Sequence, residues 1–400
     1  MRRSRLNADE DLLNGWKAIA VFLETSPKNA RRWEVKDDLP IIRPRSGRKG
    51  PVFASMRALR AWRTGGISSA IVAGNRLIVF DRKTRILWAH DFSAPIPQYA
   101  ADELKWRLGL IDLHGNGDRG VLFATQFLDP SRPGQLLYFS SEGKIEWVLE
   151  PKPDLRKQHG EGFEDAWTIR HLITVPDGAG HSIYLAVVND AGWGGCILRL
   201  DAQGKPKVQF ANAGYVERLC LVGDPDDRLI VACGENNDFD CAFVALLGID
   251  DAPSCSIQGN RTVYRFANAP SEVPRKYILF PQTEIIAARK KPYGHAQCIR
   301  QYPGRVIVEV ETSGDGGYFL YHFTEYLEPM YIFPSGSHEN FHRSLEAAGA
   351  IGHPWLECPE MMNALQLKVW TRVSGWEMRE IQWRDNPWKD DPAARLVFPG

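Results

Sequence analysis

From Ser68 onward the chain is built of short apolar runs broken by Gly, Asp and Asn, and this texture limits its fold more than any other feature. AIVAGNRLIVFDRKTRILWAHDF reads as three strands with tight connections, around Ala70–Ala73, Arg76–Phe80 and Arg85–Ala89. GLIDLHGNGDRGVLFATQF and QLLYFSSEGKIEWVLEP supply about four more, and this group ends on Trp147 as the first ends on Trp88. CILRLDAQGKPKVQF and ERLCLVGDPDDRLIVACGEN continue the style. Runs this short, without i, i+3, i+4 spacing, bury an apolar face only by pairing into sheets, so an all-β fold is expected here.

Strand starts near residues 70, 108, 169, 217, 275 or 305, and 366 give a coarse repeat of 40–60 residues. About four strands per repeat of this size is the pattern of β-propeller blades. Residues 67–400 are therefore expected to form a β-propeller-like domain for ligand sensing or protein interaction. The D-x-x-G-K-x-x-W units, of which LYFSSEGKIEW is the best, resemble quinoprotein-type propeller repeats, and DLHGNGDRGVL resembles an FG-GAP repeat loop. That second resemblance implies a calcium loop, for which Asp112, Asn116 and Gly117 fit. His114 replaces an oxygen donor and Gly120 stands where a closing acid belongs, so a structural turn is the expectation.

The first 66 residues differ: they hold 15 Lys+Arg against 7 Asp+Glu, which leaves 34 against 42 for the rest. A basic segment on an otherwise acidic chain points to a polyanionic partner. Trp16, Ile19, Ala20 and Leu23 form one stripe of a short helix, and Thr25 or Ser26 caps a second that opens with Pro27. Ala30 and Trp33 face its core, opposite Lys28, Arg31 and Arg32, with Asn29 at their margin. Ile41-Ile42 and Val52-Phe53 flank a loop carrying Arg43, Arg45, Arg48 and Lys49. A closing helix follows Ser55, with Ala58, Leu59 and Trp62 inward and Arg57, Arg60 and Arg63 outward.

GWKAIAVFLETSPKNARRWE, LPIIRPRSGRKGPVFAS and LRAW together resemble the excisionase- and MerR-type winged helix-turn-helix domain, as found at the front of multidomain bacterial proteins. The resemblance covers about residues 13–63. It implies double-stranded DNA as partner, contacted by Lys28, Asn29, Arg31, Arg32, Arg43, Arg45, Arg48 and Lys49. Ala30 stands where relatives often carry Thr, which removes one phosphate contact.

No signal peptide is read at the start, and no run of 18 apolar residues suggests a membrane span. The seven cysteines are scattered without a C-x-x-C pair, which suits reduced thiols in a cytoplasmic protein. His338, Glu339 and His342 match H-E-x-x-H, but no third ligand follows at a customary spacing, so neither a zinc protease nor any metal site is expected. Glu164, Asp165 and Asp250-Asp251 are expected to be loop acids, and Trp193 part of a tight turn. No catalytic residue and no cofactor are assigned.

The sequence thus leads to a multidomain chain: a small α+β winged helix-turn-helix over residues 1–66, then the all-β domain. The leading expectation is a cytoplasmic transcriptional regulator that binds DNA through the first domain, as a monomer or a homodimer, and a small molecule or protein through the second. Two alternatives stand beside it: a protein-interaction scaffold in which the winged helix has been turned to protein binding, and a propeller enzyme acting on a carbohydrate or other small molecule.

Overall fold

The computed structural model describes residues 12–36, 39–43, 51–56, 59, 62, 66–129, 132–157, 167–178, 180–189, 194–259, 261, 265–282, 295–313, 317–358 and 363–383. These form twenty-five strands and four α-helices, so the fold is predominantly β. The chain divides into two compact units: residues 1–150 with 174–183 and 200–205, and residues 151–173 with 184–199 and 206–400.

In the first unit, β1 (Leu12–Asn14) pairs antiparallel with β2 (Phe53–Ser55), and between them lie α1 (Gly15–Phe22) and α2 (Pro27–Lys36). Ser26 holds the start of α2: its Oγ accepts from the Asn29 amide at 3.2 Å, as a cap at the expected place. Ile19, Ala20, Leu23, Ala30 and Leu39 are buried together, with Trp16, Trp33 and Trp62 packed against them. β3 (Ser69–Ala73), β4 (Arg76–Phe80) and β5 (Ile86–Asp91) form a three-stranded antiparallel sheet. After the short helix α3 (Ala101–Arg107), a four-stranded one follows from β6 (Leu108–Ile111), β7 (Gly120–Thr125), β8 (Gln135–Phe139) and β9 (Ile145–Leu149).

A third sheet runs β10 (Thr168–Asp177), β11 (Gly180–Asn189), β12 (Gly194–Leu200) and β13 (Pro206–Asn212), and ends on the short parallel strand β17 (Ser254–Cys255). The fourth contains β14 (Val216–Val222), β15 (Leu229–Asn236), β16 (Cys241–Gly248) and β18 (Lys276–Leu279). It is completed by β23 (Gln366–Thr371) and β24 (Gly375–Glu380), far along the chain. Nested inside that connection are four strands of the fifth sheet, β19 (His295–Tyr302), β20 (Arg305–Ser313), β21 (Gly317–Phe323) and β22 (Pro329–Pro334), and a parallel β25 (Gln382–Trp383), made after β24, closes it. α4 (Gly336–Ala347) follows β22. Runs of consecutive strands joined by tight turns explain the coarse period in the sequence, and the nesting explains why it blurs near residues 275–366.

One turn recurs with residue-level fidelity. At Asp81, Ser140, Asp201 and Thr324 a side-chain oxygen accepts the amide four residues on, and that residue's carbonyl accepts the amide of the opening one. The fourth residue takes a positive φ in every copy: Thr84 (58°), Gly143 (81°), Gly204 (73°) and Leu327 (55°). Glycine adopts that backbone freely and other residues at a cost, which is why two copies use it. In two copies the glycine also receives a tryptophan from an earlier strand. Trp88 donates its indole N–H to the Ser141 carbonyl at 3.2 Å, and Trp147 donates to Ala202 at 3.3 Å. A Cβ on Gly143 would lie 2.7 Å from the Trp88 ring, and one on Gly204 would lie 2.5 Å from that of Trp147. The D-x-x-G-K-x-x-W pattern is therefore a latch in which each tryptophan lies flat on the glycine of the following turn.

An apolar cluster of the second unit draws on the fourth and fifth sheets, with Val231, Val244, Ile278, Val308, Tyr321 and Val369 among its buried members. In the first unit Leu77, Val79, Val121, Phe123, Leu137 and Phe139 form the corresponding cluster. Each such side chain contributes about 1.5–3 kcal/mol on burial.

Candidate functional site

Of the residues expected to contact DNA, five lie among the described residues. Lys28, Asn29, Arg31 and Arg32 are exposed on α2, but Arg31 lies 5.8 Å from the Trp16 ring. Arg43 is a partner of Glu34, with Nη2 2.8 Å from Oε1, and stands 6.0 Å from the same ring. A guanidinium forked onto a carboxylate is already neutralised and is a poor reader of base edges. Among the described residues the two expected wing segments meet at the antiparallel bridge of Ile42 with Phe53, and β2 also pairs with β1, a strand the sequence did not suggest. Arg45, Arg48, Lys49, Arg57, Arg60 and Arg63 lie outside the described residues.

At the loop resembling a calcium site, the Asp112 carboxylate accepts the amides of Asn116 at 3.1 Å and Gly117 at 2.6 Å. The Asn116 side-chain oxygen accepts the Asp118 amide at 2.9 Å, so these oxygens fasten the turn. His114 pairs with Glu146 at 2.8 Å. Asp251 holds Arg275 through two contacts of 3.0 Å, and the hydrogen bond from Arg275 keeps its carboxyl below the ordinary range. Glu164, Asp165 and Trp193 lie outside the described residues.

The final strands of the first two sheets carry apolar side chains in water. On β5, Ile86 is 63% exposed and its neighbour Leu87 is also exposed, so both faces of that strand are wet. On β9, Ile145 and Val148 are exposed likewise. Both strands end their sheets, so each leaves one edge of backbone donors and acceptors without a strand beside it among the described residues.

The other notable grouping is centred on α4. Ser335 fastens the helix to β21: its amide donates to the Tyr318 carbonyl at 2.8 Å, and its Oγ accepts from the Tyr318 amide at 3.0 Å and the His338 amide at 3.2 Å. His338 and His342, one turn apart, face inward and are both fully buried. His338 packs on Phe319, ring centroids 4.4 Å apart, and burial pushes its pKa down to about 3. The helix ends in a paired closure, Ala350 N–H to Leu345 O at 2.9 Å and Gly349 N–H to Glu346 O at 3.0 Å, with Gly349 at φ +66°. This turns the chain back across the helix. Trp355, in the 3-10 turn Trp355–Glu357, then rests against both histidines, at 5.5 Å from His338 and 5.1 Å from His342.

The returning segment delivers His353 and Cys358 beside His342, and the three ligand atoms lie within 4.8 Å of one another. The H-E-x-x-H string is therefore split: His342 joins this group, whereas His338 stacks on Phe319 and Glu339 is paired with Arg343 at 2.9 Å. The sequence reading missed His353 and Cys358; the compact string H-P-W-L-E-C that carries them was the available signal. Burial pushes the Cys241 thiol up to about 12 and that of Cys255 to about 11, values of inert packed groups. No described helix is long and apolar enough to cross a membrane.

No protein-family model and no curated protein matches the chain. Among solved structures it is similar to BBS1N in complex with ARL6DN, soaked with mercury, at 10% identity and TM-score 0.35 over 67% of this chain and 70% of that one. The lead-soaked form of that complex gives 9% and 0.34 over the same shares. A eukaryotic initiation factor gives 7% and 0.30 over 74% of each chain. The excisionase and MerR assignment, and with it helix-turn-helix DNA binding, is corrected: the described residues form a predominantly β fold, with twenty-five strands and four α-helices, and no family model matches the chain.

Proposed function

We propose that the chain is a protein-interaction scaffold built from β-propeller-type blades. The observation that carries this reading is the pair of exposed apolar edge strands, β5 and β9. An exposed edge that is also apolar recruits another chain by strand addition, and soluble proteins normally blunt it with charge or proline. Here Ile86, Leu87, Ile145 and Val148 occupy the places where such blunting residues would stand. A partner that adds a strand satisfies the open backbone groups and covers these side chains together.

The test compares the full chain with Ile86→Lys and Val148→Lys variants. Proteins retained on the immobilised chain are identified, purified and titrated one by one. At least one is expected to bind with a Kd that rises tenfold or more in an edge variant, while melting is unchanged because exposed substitutions cost under about 0.5 kcal/mol. Sedimentation separates a foreign partner from a second copy of the chain. Binders indifferent to both substitutions, or duplex DNA bound tightly and with steep salt dependence, would overturn the proposal.

A further inference from the structure

We propose that His342, His353 and Cys358 form a zinc site, with one imidazole nitrogen from each histidine and the Cys358 thiolate as protein ligands. The fourth position is left to solvent or an exogenous donor. Both ring nitrogens of His342 and Nε2 of His353 are buried with no hydrogen-bond partner among the described residues. A buried polar atom left in that state costs about 1–3 kcal/mol, and folded proteins rarely keep several together. The two histidines face one another, ring centroids 5.2 Å apart, with a buried thiol beside them.

Around a tetrahedral ion with bonds of about 2.0–2.3 Å, neighbouring donors stand roughly 3.4–3.6 Å apart. The observed spread of at most 4.8 Å closes to that value by small side-chain rotations. The donors select the ion: two imidazoles and one thiolate suit zinc, whereas calcium and magnesium take oxygen donors, which this group lacks. Binding is a substitution without electron transfer. Cys358 loses its thiol proton to solvent, the neutral imidazoles donate lone pairs, and the ion gives up water for three protein ligands. His342 and Cys358 are buried and His353 is only partly so, which leaves the His353 side for the fourth donor. The ion would tie the end of α4 to the segment that returns through Trp355.

The experiment measures metal content in the full chain purified without chelator, then replaces the metal with Co2+ and records the absorption spectrum. The expected result is about one zinc per chain and, with Co2+, intense tetrahedral bands plus a thiolate-to-metal charge-transfer band. Cys358→Ser should lose the charge-transfer band, and His353→Gln should keep it while weakening affinity at least tenfold. Cys220→Ser, which alters a more accessible thiol outside the group, should match the parent. Zinc content in the parent no higher than in Cys358→Ser, or a Co2+ spectrum without a thiolate band, overturns the site. If Cys358→Ser does not fold, the parent's own spectrum and the His353→Gln affinity decide the matter, and an unchanged affinity there refutes it.

Discussion

Replacing Gly204 by alanine tests whether the tryptophan latch is an energetic unit. Gly204 has φ +73°, and its Cβ would lie 2.5 Å from the Trp147 ring. Gly304 has nearly the same backbone, φ +74°, but open space where its Cβ would go. Both substitutions pay the left-handed cost of about 1–2 kcal/mol, and only Gly204→Ala adds overpacking of about 1–3 kcal/mol. Gly204→Ala is thus expected to destabilise by ~2–5 kcal/mol and Gly304→Ala by ~1–2 kcal/mol. Trp147→Ala forfeits a stacked contact with Tyr138 at 5.7 Å and the bond to Ala202, which together with lost burial come to about 2–3 kcal/mol for a half-buried indole. In that background the clash is gone, so Gly204→Ala should cost no more than Gly304→Ala, a coupling of about 1–3 kcal/mol. Urea denaturation followed by far-UV circular dichroism reads all four variants. Equal costs for the two glycines in the parent, or an undiminished Gly204→Ala cost beside Trp147→Ala, would refute the latch.

Gly143→Ala should behave as Gly204→Ala does and be relieved by Trp88→Ala, measured the same way. Asp251→Asn should destabilise at neutral pH, as it removes the acceptor of Arg275. Because the Asp251 carboxyl is held below its ordinary range, its contribution is present above about pH 4 and is lost as the acid protonates it, so parent and variant should converge in acid denaturation below that pH. A gap that persists at lower pH would count against the pairing. Glu34→Ala should cost no more than about 1 kcal/mol, and less at high salt, as expected of a partly exposed pair with Arg43.

The strands were legible because alternation and turn residues are local signals: Arg76–Phe80 was located to the residue, and the likeness between Trp88 and Trp147 was visible in the pattern around them. What escaped was pairing across distance. Nothing near Lys276 announces that its neighbour in the sheet is Thr371, because register between remote strands is set by burial and not by adjacent sequence. The amino-terminal segment shows the opposite failure. Its helix spacing was readable, but the extended motif suggested a family and a DNA-contacting role that charge pattern alone does not establish, since Arg43 is spent on Glu34. The His342 group was hidden for a third reason. Its other members sit beyond a Gly349 reversal, so their spacing follows the path of an irregular segment and not a helical period.

The nested fifth sheet sets the order in which the second unit is finished during synthesis. β18 is made early, yet its partner β23 emerges only after the 86 residues from 280 to 365. At about 5–20 residues per second the ribosome needs roughly 4–17 s for that stretch, long compared with hairpin closure. For those seconds the β18 edge stands open on the nascent chain while β19–β22 come together with local partners. A chain cut after residue 365 and released should therefore be captured by a chaperone more than one that runs past Glu380, in which the sheet has received its last strand.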